Sequence, residues 1–215
     1  MRDSELIIEP PISGYEAPGE QVAALSEKYR ALPGRVVVLM DPPRRTFGLL
    51  HLPDDLQNTV RPEAGTVVSG GGVLATGTRV VVRPYGGMWR DEEDSIQLRL
   101  YGVNDAWHED VLMKWVDDAW TPISTWMLVR RDLATSRDGL VLTDLAARPY
   151  RQTATVVRGE GFSTGDRVVL TSDPNAFLKI RWADEELALV QETVRDEEGE
   201  QVRQVWALIE EEEAA

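Results

Sequence analysis

The chain has 215 residues, 42% of them hydrophobic, a formal net charge of −14 and no cysteine. That composition is globular, excludes disulfides and thiolate metal sites, and argues against nucleic-acid or anionic-membrane surfaces, which reward Lys and Arg. The polar, acidic start lacks an apolar core of signal-peptide length, and no apolar run approaches a membrane span, so the sequence predicts a soluble protein of the cytoplasm or one packed inside a larger particle.

Residues 1–16 hold Leu6, Ile7 and Ile8, then Pro10 and Pro11. The prolines predict an extended arm, either a loose terminus or a tether onto a neighbouring subunit. Residues 18–32 predict a helix, with Val22, Leu25 and Tyr29 at helical spacing and Pro33-Gly34 as its stop. A strand is expected over 35–40, followed by a polar loop and a return to apolar residues at Phe47, Gly48, Leu49, Leu50 and His51. Residues 84–89 read as a turn, 90–94 as a charged loop, and 96–100 as a half-buried strand by alternation. The run 111–116 is too short to assign to strand or helix by periodicity. A second unit opens at Trp126, with a polar loop over 130–138 and then Gly139, Leu140, Val141 and Leu142. Phe177, Ile180 and Trp182 lie near a further strand, 187–190 is another, and Val202, Val205, Trp206, Leu208 and Ile209 form the last one, with a Gly-containing hairpin turn at 196–200 before it and an acidic tail after it.

One pattern occurs twice. Thr66-Val67-Val68-Ser69-Gly70-Gly71-Gly72 precedes Thr76-Gly77-Thr78-Arg79-Val80-Val81. Thr155-Val156-Val157-Arg158-Gly159-Glu160-Gly161 precedes Thr164-Gly165-Asp166-Arg167-Val168-Val169. The copies lie about 90 residues apart, a spacing that fits a duplicated domain better than a solenoid repeat. Val and Thr suit a pleated, half-buried surface, and glycines supply positive φ where the chain reverses.

Little here points to catalysis. His51 and His108 stand outside any zinc-protease pattern, and there is no Gly-x-Ser-x-Gly elbow. Gly70-Gly71-Gly72 is not followed by the Gly-Lys-Ser/Thr of a phosphate loop, and Asp91-Glu92-Glu93-Asp94 lacks calcium-loop spacing. The expectation is therefore no enzyme, no cofactor and no metal. Of the seven tryptophans, Trp107, Trp115, Trp120 and Trp126 cluster where the two copies meet, as an aromatic core or as an interface.

Each copy resembles a subunit of the GroES co-chaperonin family. In the first, the matching residues are Arg35-Val36-Val37-Val38, Phe47-Gly48-Leu49-Leu50, Leu52-Pro53-Asp54, Gly65-Thr66-Val67-Val68 and Gly77-Thr78-Arg79-Val80-Val81, with His108-Glu109-Asp110-Val111-Leu112 resembling the closing strand. In the second they are Met127-Leu128-Val129, Asp138-Gly139-Leu140-Val141-Leu142, Ala154-Thr155-Val156-Val157 and Gly165-Asp166-Arg167-Val168-Val169. The copies depart from the family in a single glycine at the loop ending, a shortened roof hairpin at Val73-Leu74-Ala75 and Phe162-Ser163, and the added arm and helix.

The resemblance implies an all-β protein: an arm and helix over 1–33, then tandem GroES-like β-barrels over 34–122 and 123–215. It implies a co-chaperonin that docks on a chaperonin ring through mobile loops, with Phe47, Gly48, Leu49, Leu50, Gly139, Leu140, Val141 and Leu142 as contact residues. A second expectation is a phage head, tail or decoration subunit built on the same barrel. Either way the expected partners are proteins, including further copies of the chain, with Leu6, Ile7, Ile8, Trp107, Trp115 and Trp120 as interface candidates. Nucleic acid and membrane are not expected.

Overall fold

The structure is a computed structural model; it describes residues 5–6, 19–42, 46–47, 50–51, 64–83, 87–91, 97–102, 110–117, 119–132, 136–137, 140–141, 152–170, 177–182, 185–195, 201–203 and 205–209. In chain order the elements begin with β1 (Glu5–Leu6) and α1 (Gly19–Lys28). Next come β2 (Arg35–Met40), β3 (Thr46–Phe47), β4 (Leu50–His51), β5 (Ala64–Ser69) and β6 (Arg79–Val82). Then follow β7 (Met88–Asp91), β8 (Gln97–Gly102), β9 (Val111–Val116) and β10 (Ala119–Pro122). The second half holds β11 (Trp126–Arg131), β12 (Ser136–Arg137), β13 (Leu140–Val141), β14 (Thr153–Gly159) and β15 (Arg167–Leu170). It ends with β16 (Phe177–Trp182), β17 (Glu185–Gln191), β18 (Thr193–Arg195), β19 (Gln201–Arg203) and β20 (Val205–Ile209).

Among the described residues the protein is all-β apart from that short helix, and the strands form two large, mainly antiparallel sheets with three small hairpins. The chain divides into two compact units. The first is Pro10–Ser124; the second joins Met1–Glu9 to Thr125–Ala215. The first unit's sheet runs β7-β8-β2-β5-β6-β9-β10, and the second's runs β1-β16-β17-β11-β14-β15-β20. Six strands correspond in the same order, from β7 to β9 and from β16 to β20. The additions fall at opposite ends: β10 lies beyond β9, and β1 lies beyond β16.

The correspondence reaches individual hydrogen bonds. The Val67 N–H donates to the Thr78 carbonyl (2.9 Å) and the Gly77 N–H to the Val67 carbonyl (2.8 Å). In the second unit the Val156 N–H donates to Asp166 (2.7 Å) and the Gly165 N–H to Val156 (2.8 Å). The hydroxyls of Thr76 and Thr164 donate to the carbonyls of Val68 and Val157 at 3.1 and 3.0 Å. Even the bulges match: the β2/β5 register shifts at Val37/Val38 and the β11/β14 register at Leu128/Val129. A further pair of shifts falls at Val81/Val82 and Val169/Leu170. Bulges bend a strand and raise its local twist, so both sheets curve at the same two places.

Period-two alternation sorts the side chains of β2 to two cores. Val36, Val38 and Met40 pack with Val67, Val80, Val82, Tyr101 and Val111. Val37 and Leu39 face the other way, onto Val22, Leu25 and Ala31, with Val68 and Leu98. The helix therefore covers the second face of the sheet, which is why β2 reads as an unbroken apolar run. In the second unit the matching inner core is Met127, Val129, Ala154, Val156, Val168, Leu170, Ala188, Val190 and Val205.

Several sequence expectations are corrected. The helix stops at Lys28 rather than at residue 32. Beyond it the Ala31 N–H donates to the Ser69 hydroxyl at 2.9 Å, and the chain turns through Gly34 at φ 74°. Met88–Asp91, expected as turn and charged loop, is β7, paired antiparallel with β8. Backbone groups alone make that ladder, so a strand forms there without apolar alternation. The undecided stretch after residue 110 is strand. The final apolar run is two strands: β19 pairs with β18, and β20 with β15. The loop expected from Arg130 starts later, since β11 continues through Arg131.

Candidate functional site

The loops that follow the first strand of each unit are rooted in the same way. β2 is followed by Asp41, whose N–H donates to the Ala64 carbonyl at 3.0 Å. β11 is followed by Asp132, whose N–H donates to the Thr153 carbonyl at 3.0 Å. An arginine of the repeated motif grips each carboxylate. Arg79 on β6 donates through Nη1 and Nη2 to the two Asp41 oxygens, both at 2.6 Å, and through Nη1 to the Thr66 hydroxyl at 3.1 Å. Arg167 on β15 donates through Nη2 to Asp132 Oδ2 at 2.6 Å, and the same oxygen accepts from the Thr153 hydroxyl. A planar guanidinium matches a carboxylate in this fork, which fixes direction as well as charge.

Past each root a two-residue hairpin forms. In β3–β4, Thr46 stands opposite His51 and Phe47 opposite Leu50. In β12–β13, Ser136 stands opposite Val141 and Arg137 opposite Leu140. Both hairpins thus bring apolar residues of their second strand to the same station: Leu50 in one, Leu140 and Val141 in the other. Of the remaining contact candidates, Gly48, Leu49, Gly139 and Leu142 lie outside the described residues, as do Ile7, Ile8, Trp107 and His108.

The interface candidates separate. Leu6 lies in β1, in register with Ile180 of β16. Trp115 and Trp120 face each other across the β9–β10 hairpin, rings 5.1 Å apart at 71°, an edge-to-face pair. Trp120 is 2% exposed and belongs to the interior of the first unit.

Sequence reasoning passed over the two clamps. Their signal was present: Arg79 and Arg167 are the invariant Arg of the two motif copies, and Asp41 and Asp132 each follow a first strand. Asp41 and Arg79 side chains are 21% and 16% exposed, against 23% and 35% for Asp132 and Arg167. The more sheltered pair is the stronger. Arg79→Ala is expected to cost about 2–3 kcal/mol and Arg167→Ala about 1 kcal/mol, read from urea midpoints. Equal losses would contradict the difference drawn from the geometry.

Among the described residues there is no group of three or more His, Asp or Glu placed to hold a metal ion, and no helix long and apolar enough to cross a membrane. The sequence matches no known family model and no curated protein.

Proposed function

We propose that this chain is a non-enzymatic co-chaperonin of GroES-like type, built from two tandem β-barrels and docking on a chaperonin ring through the loops 41–54 and 130–144. The observation that carries the reading is the repeated root. Two hairpins of equal register follow an Asp held by the Arg of the same motif. A docking loop needs a fixed origin and an apolar contact beyond it. The clamps supply the origin, and Leu50, Leu140 and Val141 supply the contact. Ordering such a loop on a partner costs conformational entropy, which apolar burial offsets.

The test is binding to a purified chaperonin ring, followed by co-sedimentation. Replacing Leu140 and Leu142 by Ser is expected to weaken capture by at least about a hundredfold, because each buried aliphatic side chain contributes roughly 1.5–3 kcal/mol. The thermal midpoint should stay that of the parent protein. A variant that melts early would make these residues ordinary sheet core.

One observation favours a second reading, a structural subunit of a phage particle. The N-terminal arm supplies a strand, β1, to the edge of the second sheet, and arms that add strands to edges are a means of joining subunits. If the wild-type protein never binds a chaperonin ring, this becomes the better reading, with the virion rather than the cytoplasm as its place.

A further inference from the structure

The outer edge of β16 accepts a strand, and the strand it holds is Glu5–Leu6, with Glu5 in register with Lys179 and Leu6 with Ile180. Three features set this pairing apart. It is parallel, whereas the other pairings among the described strands are antiparallel. At two registers it is the shortest ladder in its sheet. No turn joins its strands, because the whole first unit intervenes between Leu6 and Phe177. A hairpin partner is held by its turn; a parallel partner arriving from a distant part of the chain is held only by its ladder and its tether.

We infer that β1 is an exchangeable strand, and that in an oligomer it seats on β16 of a second copy of this chain. The edge and the strand are complementary in sequence. By register, an acid, Glu5, pairs with a base, Lys179, and an aliphatic residue, Leu6, with another, Ile180. Every copy carries both parts, so reciprocal exchange keeps each β16 edge covered and replaces each contact with an identical one, the low-cost route to association of swapped elements. The tether allows it: residues 7–18 separate β1 from α1, and a stretch of that length spans up to about 40 Å when extended. Covering the edge also serves each copy, since an open edge invites indiscriminate pairing. The inference stands whichever partner the hairpins of the proposed function take.

The absence of cysteine makes a direct test possible. Two full-length variants, Leu6→Cys with an affinity tag and Ile180→Cys without one, are co-expressed and treated with a short bis-maleimide. A covalent heterodimer can form only if the arm of one copy reaches β16 of the other. As control, Leu208→Cys replaces Ile180→Cys; Leu208 lies on β20, at the opposite end of the same sheet, and is exposed. At least tenfold more heterodimer with Ile180→Cys than with Leu208→Cys is expected. The pair Glu5→Cys and Lys179→Cys repeats the test at the neighbouring register, should Ile180→Cys fold poorly. Heterodimer yields at the control level for both pairs overturn the inference. So does a chain carrying Leu6→Cys and Ile180→Cys together that cross-links only within itself.

Discussion

Gly70→Ala is expected to destabilise the first unit by about 3 kcal/mol, and Gly159→Ala, at the matching position of the second, by about 1 kcal/mol or less. Both glycines close the repeated T-V-V-x-G, yet their surroundings differ. A Cβ on Gly70 would lie 1.8 Å from the Leu74 carbonyl oxygen and 2.6 Å from its carbon, both backbone atoms. The turn cannot open to admit it cheaply. The Val73 and Leu74 N–H groups both donate to the Gly70 carbonyl, at 2.8 and 3.3 Å. The Leu74 side chain is packed into the inner core beside Val67 and Val80. Moving Leu74 therefore breaks a turn and loosens a core together. A Cβ on Gly159 would meet Met127 Cγ at 2.8 Å. Met127 Cβ also lies close, at 3.2 Å, but an unbranched, adaptable Met side chain yields at lower cost than a backbone carbonyl. Urea denaturation of both variants measures the contrast; similar losses would mean that the two turns are not built as the geometry has them.

The same turn shows what was legible in the sequence. The duplication was, because β-branched strands and reversal glycines leave a pattern that two copies reinforce. Gly72, Gly77, Gly161 and Gly165 all have positive φ, as the motif required. Gly71 carries a different message. It too has positive φ, but a Cβ there would also approach the carbonyl oxygens of Leu32 and Arg35, at 2.4 and 2.6 Å. Those residues lie where the connection from α1 enters β2, so the middle glycine of the first copy's three answers to that connection. In the second copy an exposed Glu160 stands at that position. A close approach between segments distant in sequence leaves no local mark, so the triglycine read simply as a turn.

The hairpin roots were hidden for a related reason. Asp41 and Arg79 are far apart in sequence, and each alone looks like a solvated charge. Only the pairing of β2 with β5 and of β5 with β6 brings them together. β7 was missed because its residues are polar and aromatic without alternation. An edge position imposes the backbone ladder and little else, so periodicity gives no warning of it.

Trp120→Ala is expected to cost about 3–5 kcal/mol, a loss that would leave the first unit largely unfolded at modest urea, whereas Trp115→Ala costs about half as much. The two residues looked equivalent as interface candidates, and the β9–β10 hairpin separates them. Trp120 is 2% exposed, while Trp115, its cross-strand partner, is half-buried. Removing Trp120 leaves a void of indole size beneath the hairpin and strips Trp115 of its edge-to-face neighbour. Removing Trp115 gives up that ring contact but opens its site to water, which fills it without a cavity. The Ile123 N–H donates to the Leu112 carbonyl at 3.0 Å, which ties the end of β10 back to β9, so the hairpin cannot swing in to fill the void under Trp120. A residue whose role is to meet a partner behaves otherwise. Its loss weakens association and spares the monomer. Melting curves and light scattering on Trp120→Ala together decide between these roles. An unchanged melting midpoint with lost self-association would make Trp120 an interface residue and refute its place in the core.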